Sequence, residues 1–599
     1  MDAPSPLGGV LAIAGPASRR KMNRYYVGLA TSFHDPAVAV VDPYGEVVFA
    51  EASERYLQDK RALGCAADVR ETVRRIINDY CDPGAEYVIA KPWSRTARQA
   101  LELLSILGLA SHERLPRRRS GPISRFLVDR RTLFGSVWQQ HTANQLSGGH
   151  LADVLLKMGN DRVSFVSFPH HLTHAATGCL TSPFEEAACM VVDGQGERGS
   201  ISYFGYRQGR LRLIKRMRGA ESLGLLYAFC TNLCGFSPER DEYWKVMGLA
   251  PYGKLNPEIH SAFVSLVRIT GLTFRYPQTR RIREWAGRMQ RWARPSGVDP
   301  MAAADLAFTT QYFFAQVMTS LLDNFHALGV SDNLVLAGGC ALNSSYNGQI
   351  VRRTRFRQLH VPSAPADDGN ALGAALLAFQ RDHPDEKPGR SVQSAYLGST
   401  ISKRSLEGLA GFGRIPGMRH LPETLADEAA RLLADGKLLG WIQGRAEFGP
   451  RALGNRSILA DPRREDIKAT INSIVKLRED FRPFAPSILD ELGPEYFEDY
   501  QYSPYMERVL AVRGNARARV PGVVHVDGTA RVHSVRRHSN RRFYDLIRAF
   551  HDHTGIPLLL NTSLNVMGKP IVHSLEDALG FFYTTGLDAL AVEDYLIQK

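Results

Sequence analysis

The chain has 599 residues, too many for a single hydrophobic core, so two or three domains are expected. Hydrophobic residues at 44% and charged residues at 23% are those of an ordinary globular protein, which excludes disordered and fibrous classes, and no apolar run approaches the ~18–20 residues of a membrane-spanning helix. Lys and Arg outnumber Asp and Glu by 74 to 61, a basic excess that suits nucleic acid or small anionic substrates such as phosphates and decides neither. Much of it lies in arginine clusters at 114–120, 280–294 and 533–542, a pattern more typical of solvated faces. Seven cysteines without a CxxC pair read as buried free thiols and a cytoplasmic setting; Cys230 and Cys234 fall in an apolar helical pattern.

In chain order, "GGVLAIAG" is followed rather than preceded by "RRK", the wrong order for a secretory signal, and residues 1–21 read as a flexible extension. "RYYVGLA", the polar turn "TSFHDP", then "AVAVVD" and "EVVFAEAS" predict a strand, a turn and returning strands, a unit able to embrace a phosphate with backbone N–H groups. The pattern recurs in "EEAACMVVDGQGERGSISYFGYRQG". "NLVLAGGCALNSSYNGQIVRRT" predicts a buried strand, a glycine turn and a helix; "LHVPSAPADDGNALGAALLAFQ" predicts a strand, an acidic turn and an alanine-rich helix. Two strand–turn–strand units followed by a glycine turn resemble a duplicated actin-like (ASKHA) α/β architecture over 22–383, and the Pro- and charge-rich stretch 384–394 reads as a linker. Residues 395–599, with an amphipathic helix, buried strands and a dense arginine run, read as a separate α/β domain.

"SFPHHLTHAATGCL" places His170, His171 and His174 at a strand-to-helix junction. On a helix, His170 and His174 lie about 40° apart, so both imidazoles reach one cation, while His171 points elsewhere. The same spacing also serves a paired structural role. Asp193 in "VVDGQGE" and Asp367 in "PADDGN" end buried strands, where side chains project into clefts, and two imidazoles with two carboxylates suit iron, manganese or zinc.

"HHLTHA", "VVDGQGE", "KVMGLAPYGK", "GGCALN", "FGPRALGNRS", "VKLREDFRPFAPS", "HVDGTARVHSV" and "LNTSLNVMGKPIV", in one order over roughly residues 24–599, closely resemble the NodU/CmcH family of O-carbamoyltransferases, which decorate antibiotics, nodulation factors and toxins. The resemblance implies an actin-like N-terminal domain fused to a YrdC-like C-terminal domain. The latter would make carbamoyl-adenylate from carbamoyl phosphate and ATP, with Mg²⁺ accompanying ATP. The former would pass the carbamoyl group to a hydroxyl of a small secondary metabolite, leaving AMP. It further implies Fe²⁺, or a similar divalent metal, on His170, His174, Asp193 and Asp367, with Asp368 a near-equal candidate for the last place. Arg451, Lys476, Arg482, Asn561 and Ser563 would line the carbamoyl phosphate and ATP site, and Gly338, Gly339 and Asn343 the adenylate in the N-terminal domain. His34 would act as general base, with Lys60 and Arg531 stabilising charge at the adenylate. Arg531 is expected to reach across from the C-terminal domain.

Carbamoyl phosphate and ATP bring several negative charges, and "GPRALGN" with "RPFAP" interleaves Gly and Pro among Arg445, Arg451, Arg456, Lys476, Arg478 and Arg482 in a way a solvated helix would not. Departures from the family pattern are Gln58, Met567, Lys569 and Leu564; the poorly matching stretches 92–150 and 255–300, the latter with Trp285 and Trp292, are expected to serve either acceptor recognition or, equally, surface packing. Neither a nucleic-acid nor a membrane partner is expected, and a homodimer is left open. The competing readings are a tRNA threonylcarbamoyl-type enzyme, which salt-sensitive tRNA binding would revive, and an actin-like ATPase or sugar kinase, which leaves the C-terminal arginine motifs unexplained.

Overall fold

The computed structural model describes residues 23–112, 130–386, 394–413 and 415–599. The extension 1–21, the arginine cluster at 114–120 and most of the linker (387–393) lie outside the described residues.

The N-terminal half is one design used twice. In the first sheet β1 (Arg24–Ala30), β2 (Ala37–Val41) and β3 (Val47–Ala52) form an antiparallel meander, and β4 (Glu86–Pro92) and β5 (Val163–Phe168) add in parallel on the other side of β1, giving the order β3-β2-β1-β4-β5. The second sheet repeats it. β6 (Glu186–Val192), β7 (Ile201–Arg207) and β8 (Arg210–Met217) meander; after a small hairpin of β9 (Arg268–Thr270) and β10 (Thr273–Arg275), β11 (Asn333–Ala337) and β12 (Gln358–His360) complete the order β12-β11-β6-β7-β8. Meander plus two parallel strands, duplicated, is the actin-like arrangement, and the turn after the first strand of each copy carries a functional candidate: His34 after β1, Asp193 after β6.

Between the sheets lie two helices, His170–Leu180 and Asn370–Asp382, both almost wholly buried. Their small residues permit an unusually close approach: a Cβ on Gly28 of β1 would stand 1.8 Å from the Ala371 carbonyl oxygen, and one on Gly373 would stand 2.0 Å from that of Thr173. This packing sets the histidine helix at a fixed depth beneath both turns.

The C-terminal half is a mixed nine-stranded sheet with its own core, from Ile401 to Ile597, covered by helices that include Leu425–Ala434 and Arg541–Thr554. Among the described residues no helix is long and apolar enough to cross a membrane. The halves are joined by buried polar contacts. Ala50 N–H donates to the Leu397 carbonyl (2.9 Å), Arg445 Nη2 to the Val48 carbonyl (2.8 Å) and Arg55 Nη2 to the Gly449 carbonyl (2.9 Å). Glu51, 1% exposed, accepts from Ser399 Oγ at 2.6 Å and faces His573 Nδ1 at 3.4 Å.

Burial works to raise the Glu51 pKa, but the His573 hydrogen bond and charge, Ser399 and Arg55 bring it down from 4.5 to about 2. A folded-state pKa below the unfolded one gives stability that is present above about pH 4.5 and lost as pH falls toward 2, here about 3 kcal/mol. Glu51→Gln is therefore expected to lower the urea midpoint at pH 7, and the gap to the wild type should narrow progressively between pH 4.5 and the limit of measurement. A pH-independent gap would locate the effect elsewhere.

Candidate active site

The helix His170–Leu180 begins at the first of the three histidines, and its 3.6-residue period turns His170 and His174 to one side. Their rings lie 4.8 Å apart, nearly perpendicular. His170 Nε2 stands 3.3 Å from Asp193 Oδ2 and 3.5 Å from Asp367 Oδ1; His174 Nε2 stands 3.2 Å from Asp367 Oδ1 and 3.8 Å from Asp193 Oδ2. All four side chains are buried, and one donor atom of each lies within 4.8 Å of every other. Donors held ~2.1 Å from a single ion stand ~3.0–3.4 Å apart at right or tetrahedral angles, so the set fits one borderline divalent cation. Burial alone would raise both carboxyls, yet the imidazoles hold Asp193 and Asp367 below the usual range. His171 turns away, its Nδ1 bonded to Ser202 Oγ at 2.8 Å.

Asp367 rather than Asp368 completes the set. Asp368 Oδ1 accepts from Gly369 N–H at 2.9 Å, and burial with the nearby charge of Asp35 pushes its carboxyl up to about 8. The N-terminus of the histidine helix is secured from outside: Glu197 Oε1 accepts from His170 N–H (3.1 Å) and Ser94 N–H (2.5 Å), and Oε2 accepts from Ser94 Oγ (2.9 Å).

His34 stands beside this cluster, Nε2 3.9 Å from Asp367 Oδ2, while Nδ1 is bonded to Asp35 Oδ2 at 2.7 Å. Asp35, left-handed at φ 55°, is paired in turn with Arg61 at 3.2 Å. Asp35 fixes one ring nitrogen and leaves the other toward the cavity. Neither Asp35 nor Arg61 figured among the sequence candidates, although they directly follow His34 and Lys60.

A single cavity of about 1210 Å³ runs from this cluster into the C-terminal domain. Asp193, Asp367, His34, Lys60, Gly339 and Asn343 line its N-terminal part; Arg451, Lys476, Arg482, Arg531, Asn561 and Ser563 line its C-terminal part. Gly338 is not on the wall. Its φ of 90° and a Cβ position 2.3 Å from the Val192 carbonyl oxygen give it a turn-forming role, while Gly339 N–H bonds Asp193 Oδ1 at 3.1 Å. Asn343 caps the helix Ser344–Asn347, accepting from Tyr346 N–H at 3.1 Å.

The basic pocket is crowded with like charges. Lys476 ends a π-helical turn, Asn472–Lys476, and its Nζ bonds Asn565 Oδ1 (2.7 Å) and Ser563 Oγ (3.3 Å). Arg482 lies 3.6 Å above the ring of Trp244, a residue of the other domain. Asn561 Nδ2 bonds Ser487 Oγ at 2.9 Å, and its Oδ1 is buried without a partner, as is Arg531 Nε. Burial, together with Arg482, draws the Arg478 guanidinium down to about 8; burial, with Arg451 and Arg478, draws Arg531 well down; burial, with Arg478, Arg482 and Lys60, does so for Lys476. A guanidinium keeps its proton at neutral pH, so these depressions express first the cost of burying the charges and then their mutual repulsion, both of which an anionic ligand would offset. Arg531 and Lys60 line the same cavity from the two domains, Arg531 feeling the charges of Arg451 and Arg478 and Lys60 adding to those around Lys476.

Two arginines read from sequence as part of this cluster are structural. Arg456, 0% exposed, spends its guanidinium on the carbonyls of Gln443, Asn455, Ser399 and Gly444, and Arg445 binds the Val48 carbonyl across the interface and that of Gly398 in its own half. Gln58 and Lys569, two of the departures, meet there: Gln58 Nε2 donates to the Ile571 carbonyl at 3.2 Å and Lys569 Nζ to the Gln58 carbonyl at 3.4 Å. Trp285 packs in the core, Nε1 bonded to the Ala262 carbonyl at 2.9 Å.

A duplicated actin-like half, an α/β partner and one cavity between them define a two-domain enzyme. The carbamoyltransferase N-terminus family model matches residues 25–376, and the carbamoyltransferase C-terminus model matches 430–599. The chain belongs to the carbamoyltransferase family. Nodulation protein NolNO of Sinorhizobium fredii is 39% identical over 446 residues, 73% of this chain and 64% of its own length; nodulation protein NolO of Bradyrhizobium diazoefficiens is 36% identical over 443 residues, 72% and 78%. Among solved structures, HypF of T. kodakarensis is similar at 12% identity and a TM-score of 0.31, over 61% of this chain and 48% of its own.

Proposed function

We propose that the protein forms carbamoyl-adenylate from carbamoyl phosphate and ATP in the C-terminal pocket and transfers the carbamoyl group to a hydroxyl of a small molecule beside the N-terminal cluster. The observation that carries this reading is the cavity itself, whose lining includes Asp193, Asp367 and His34 as well as Lys476, Arg451 and Arg531. An adenylate made at one end has a short path to the other within the same cavity, which limits the time a hydrolysable intermediate spends exposed to water.

Lys476, Arg451, Arg482 and Arg531 hold the phosphate oxygens of both substrates. The atoms balance when one water is consumed: carbamoyl phosphate and ATP give carbamoyl-adenylate, phosphate and pyrophosphate. The acceptor oxygen then attacks the carbamoyl carbon, the bond to the AMP phosphate breaks, and His34, oriented by Asp35, takes the hydroxyl proton. Lys60 meets charge developing on the departing AMP. A divalent cation of the iron, manganese or zinc class, on His170, His174, Asp193 and Asp367, would supply Lewis-acid polarisation of an oxygen.

The test is to incubate the protein with ATP, carbamoyl phosphate and hydroxylated natural products, reading AMP, pyrophosphate and a one-carbamoyl mass gain. ATP turnover that ignores carbamoyl phosphate would sink the proposal. Because Glu197 fixes the start of the histidine helix, Glu197→Ala is expected to weaken metal retention against a chelator by roughly 10- to 100-fold, measured by metal analysis. Unchanged retention would confine Glu197 to anchoring Ser94.

A further inference from the structure

We infer that the acceptor carries a sizeable apolar body next to the alcohol it offers; this rests on the carbamoyl-transfer reading above and narrows it. Leu63, Leu225, Tyr252, Val526 and Met567 all line the large cavity and are between 42% and 58% exposed. Single exposed apolar side chains scattered over a surface need no explanation, but several on one concave wall mark a ligand surface.

Two of them flank the transfer centre, and the backbone holds them there. Leu63 follows Arg61 and Ala62, which are left-handed at φ 66° and 41° although neither is glycine. Such strain persists only where the surroundings impose it, and it gathers at ligand clamps. Here the clamp is visible: Asp35 N–H donates to the Arg61 carbonyl at 2.9 Å and Gly64 N–H to the Phe33 carbonyl at 2.8 Å. The Arg61–Gly64 segment is thereby pinned across the turn that carries His34. Ala62 points into the core, and Leu63 is turned out.

Leu225 lines the same cavity and is tied to the loop that follows Asp193. The helix Leu223–Leu233 is capped by Ser222, whose Oγ accepts from Leu225 N–H at 3.1 Å and donates to the Gly194 carbonyl at 2.6 Å. Gly224 presses on the same loop so closely that a Cβ there would stand 3.0 Å from Gly194 Cα. The first turn of the helix, with Leu225, is therefore tied to the residue after Asp193. From the C-terminal domain, Met567 adjoins the phosphate side, its N–H bonded to the Lys476 carbonyl at 3.2 Å. An acceptor whose alcohol enters between His34 and Asp193 lays whatever adjoins that alcohol against Leu63 and Leu225.

The experiment uses neutral diols of graded apolar length, 1,2-butanediol, 1,2-hexanediol and 1,2-octanediol, with the full protein, ATP and carbamoyl phosphate. The apparent kcat/KM for the carbamoyl mass gain is expected to rise roughly three- to tenfold with each added pair of methylenes. Leu63→Ser and Leu225→Ser, both at exposed positions that do not threaten the fold, are expected to flatten that rise. A flat or falling series in the wild type, including no turnover of any diol, or an undiminished slope in both variants, would overturn the inference. Pyrophosphate release is read in parallel samples that lack any diol. Its dependence on carbamoyl phosphate reports on the underlying reaction alone, so failure of the acceptor inference and failure of the reaction are told apart.

Discussion

Asp193→Asn is expected to reduce acceptor carbamoylation on the order of 10³-fold while single-turnover pyrophosphate release from ATP and carbamoyl phosphate stays near the wild-type level. The substitution is isosteric, and the Asn Oδ1 still accepts the Gly339 N–H that Asp193 Oδ1 accepts at 3.1 Å, so the turn after β6 is preserved. What changes is the atom in the place of Oδ2, which faces His170 at 3.3 Å and His174 at 3.8 Å. An amide nitrogen there offers no lone pair to a cation and removes the negative charge that balances two imidazoles. Metal analysis of the purified variant should show the loss directly. At the phosphate end the side-chain bonds of Lys476 go to Ser563 and Asn565 and those of Arg478 to Asn472, not to this cluster. Equal loss of pyrophosphate release and of transfer would mean that both steps share one centre, and the two-site reading would fall.

How much of this could be read from sequence varies with how local the cause is. The duplicated sheet was legible because each copy announces itself by a strand, a polar turn and a returning strand, and the metal-type cluster because four-residue spacing on a helix and Asp193 directly after a strand are local patterns. Asp367, expected at a strand end, instead lies in the short turn Asp367–Gly369 before the helix Asn370–Asp382, seven residues past β12. The choice of Asp367 over Asp368 rested on the resemblance rather than on local pattern, and the structure agrees with it, because Asp367 Oδ1 faces both histidines at 3.5 and 3.2 Å. The arginine motif was legible as a cluster but not in its division of labour. Arg451 lines the cavity while Arg456, on a buried strand of the same motif, turns to backbone carbonyls. The aromatic insert misleads for a related reason: the helix Thr279–Met289 looks like a basic recognition surface, but its period puts Trp285 into the core. The clamp that presents Leu63 leaves no local signature, because left-handed Arg61 and Ala62 are imposed by contacts with the His34 turn.

Arg531→Met is expected to move activity and stability in opposite directions. The guanidinium sits among Arg451 and Arg478, its Nε is buried without a hydrogen-bond partner, and burial with those charges depresses it well below its ordinary range. The side chain is half-buried on the cavity wall among like charges, and replacing it with an apolar chain of similar length relieves that crowding and is stabilising by about 1 kcal/mol. In a buffer free of multivalent anions the variant should therefore melt a few degrees above the wild type, while carbamoyl-adenylate formation falls on the order of 10²- to 10³-fold. Pyrophosphate supplies the sign check, because a ligand that binds only the folded protein stabilises it in proportion to the logarithm of its concentration over Kd. Added pyrophosphate should raise the wild-type Tm and raise that of the variant less, closing or reversing the gap. A structural arginine would behave the other way, with the variant melting lower and the pyrophosphate shift unchanged, and that outcome would remove Arg531 from the phosphate site.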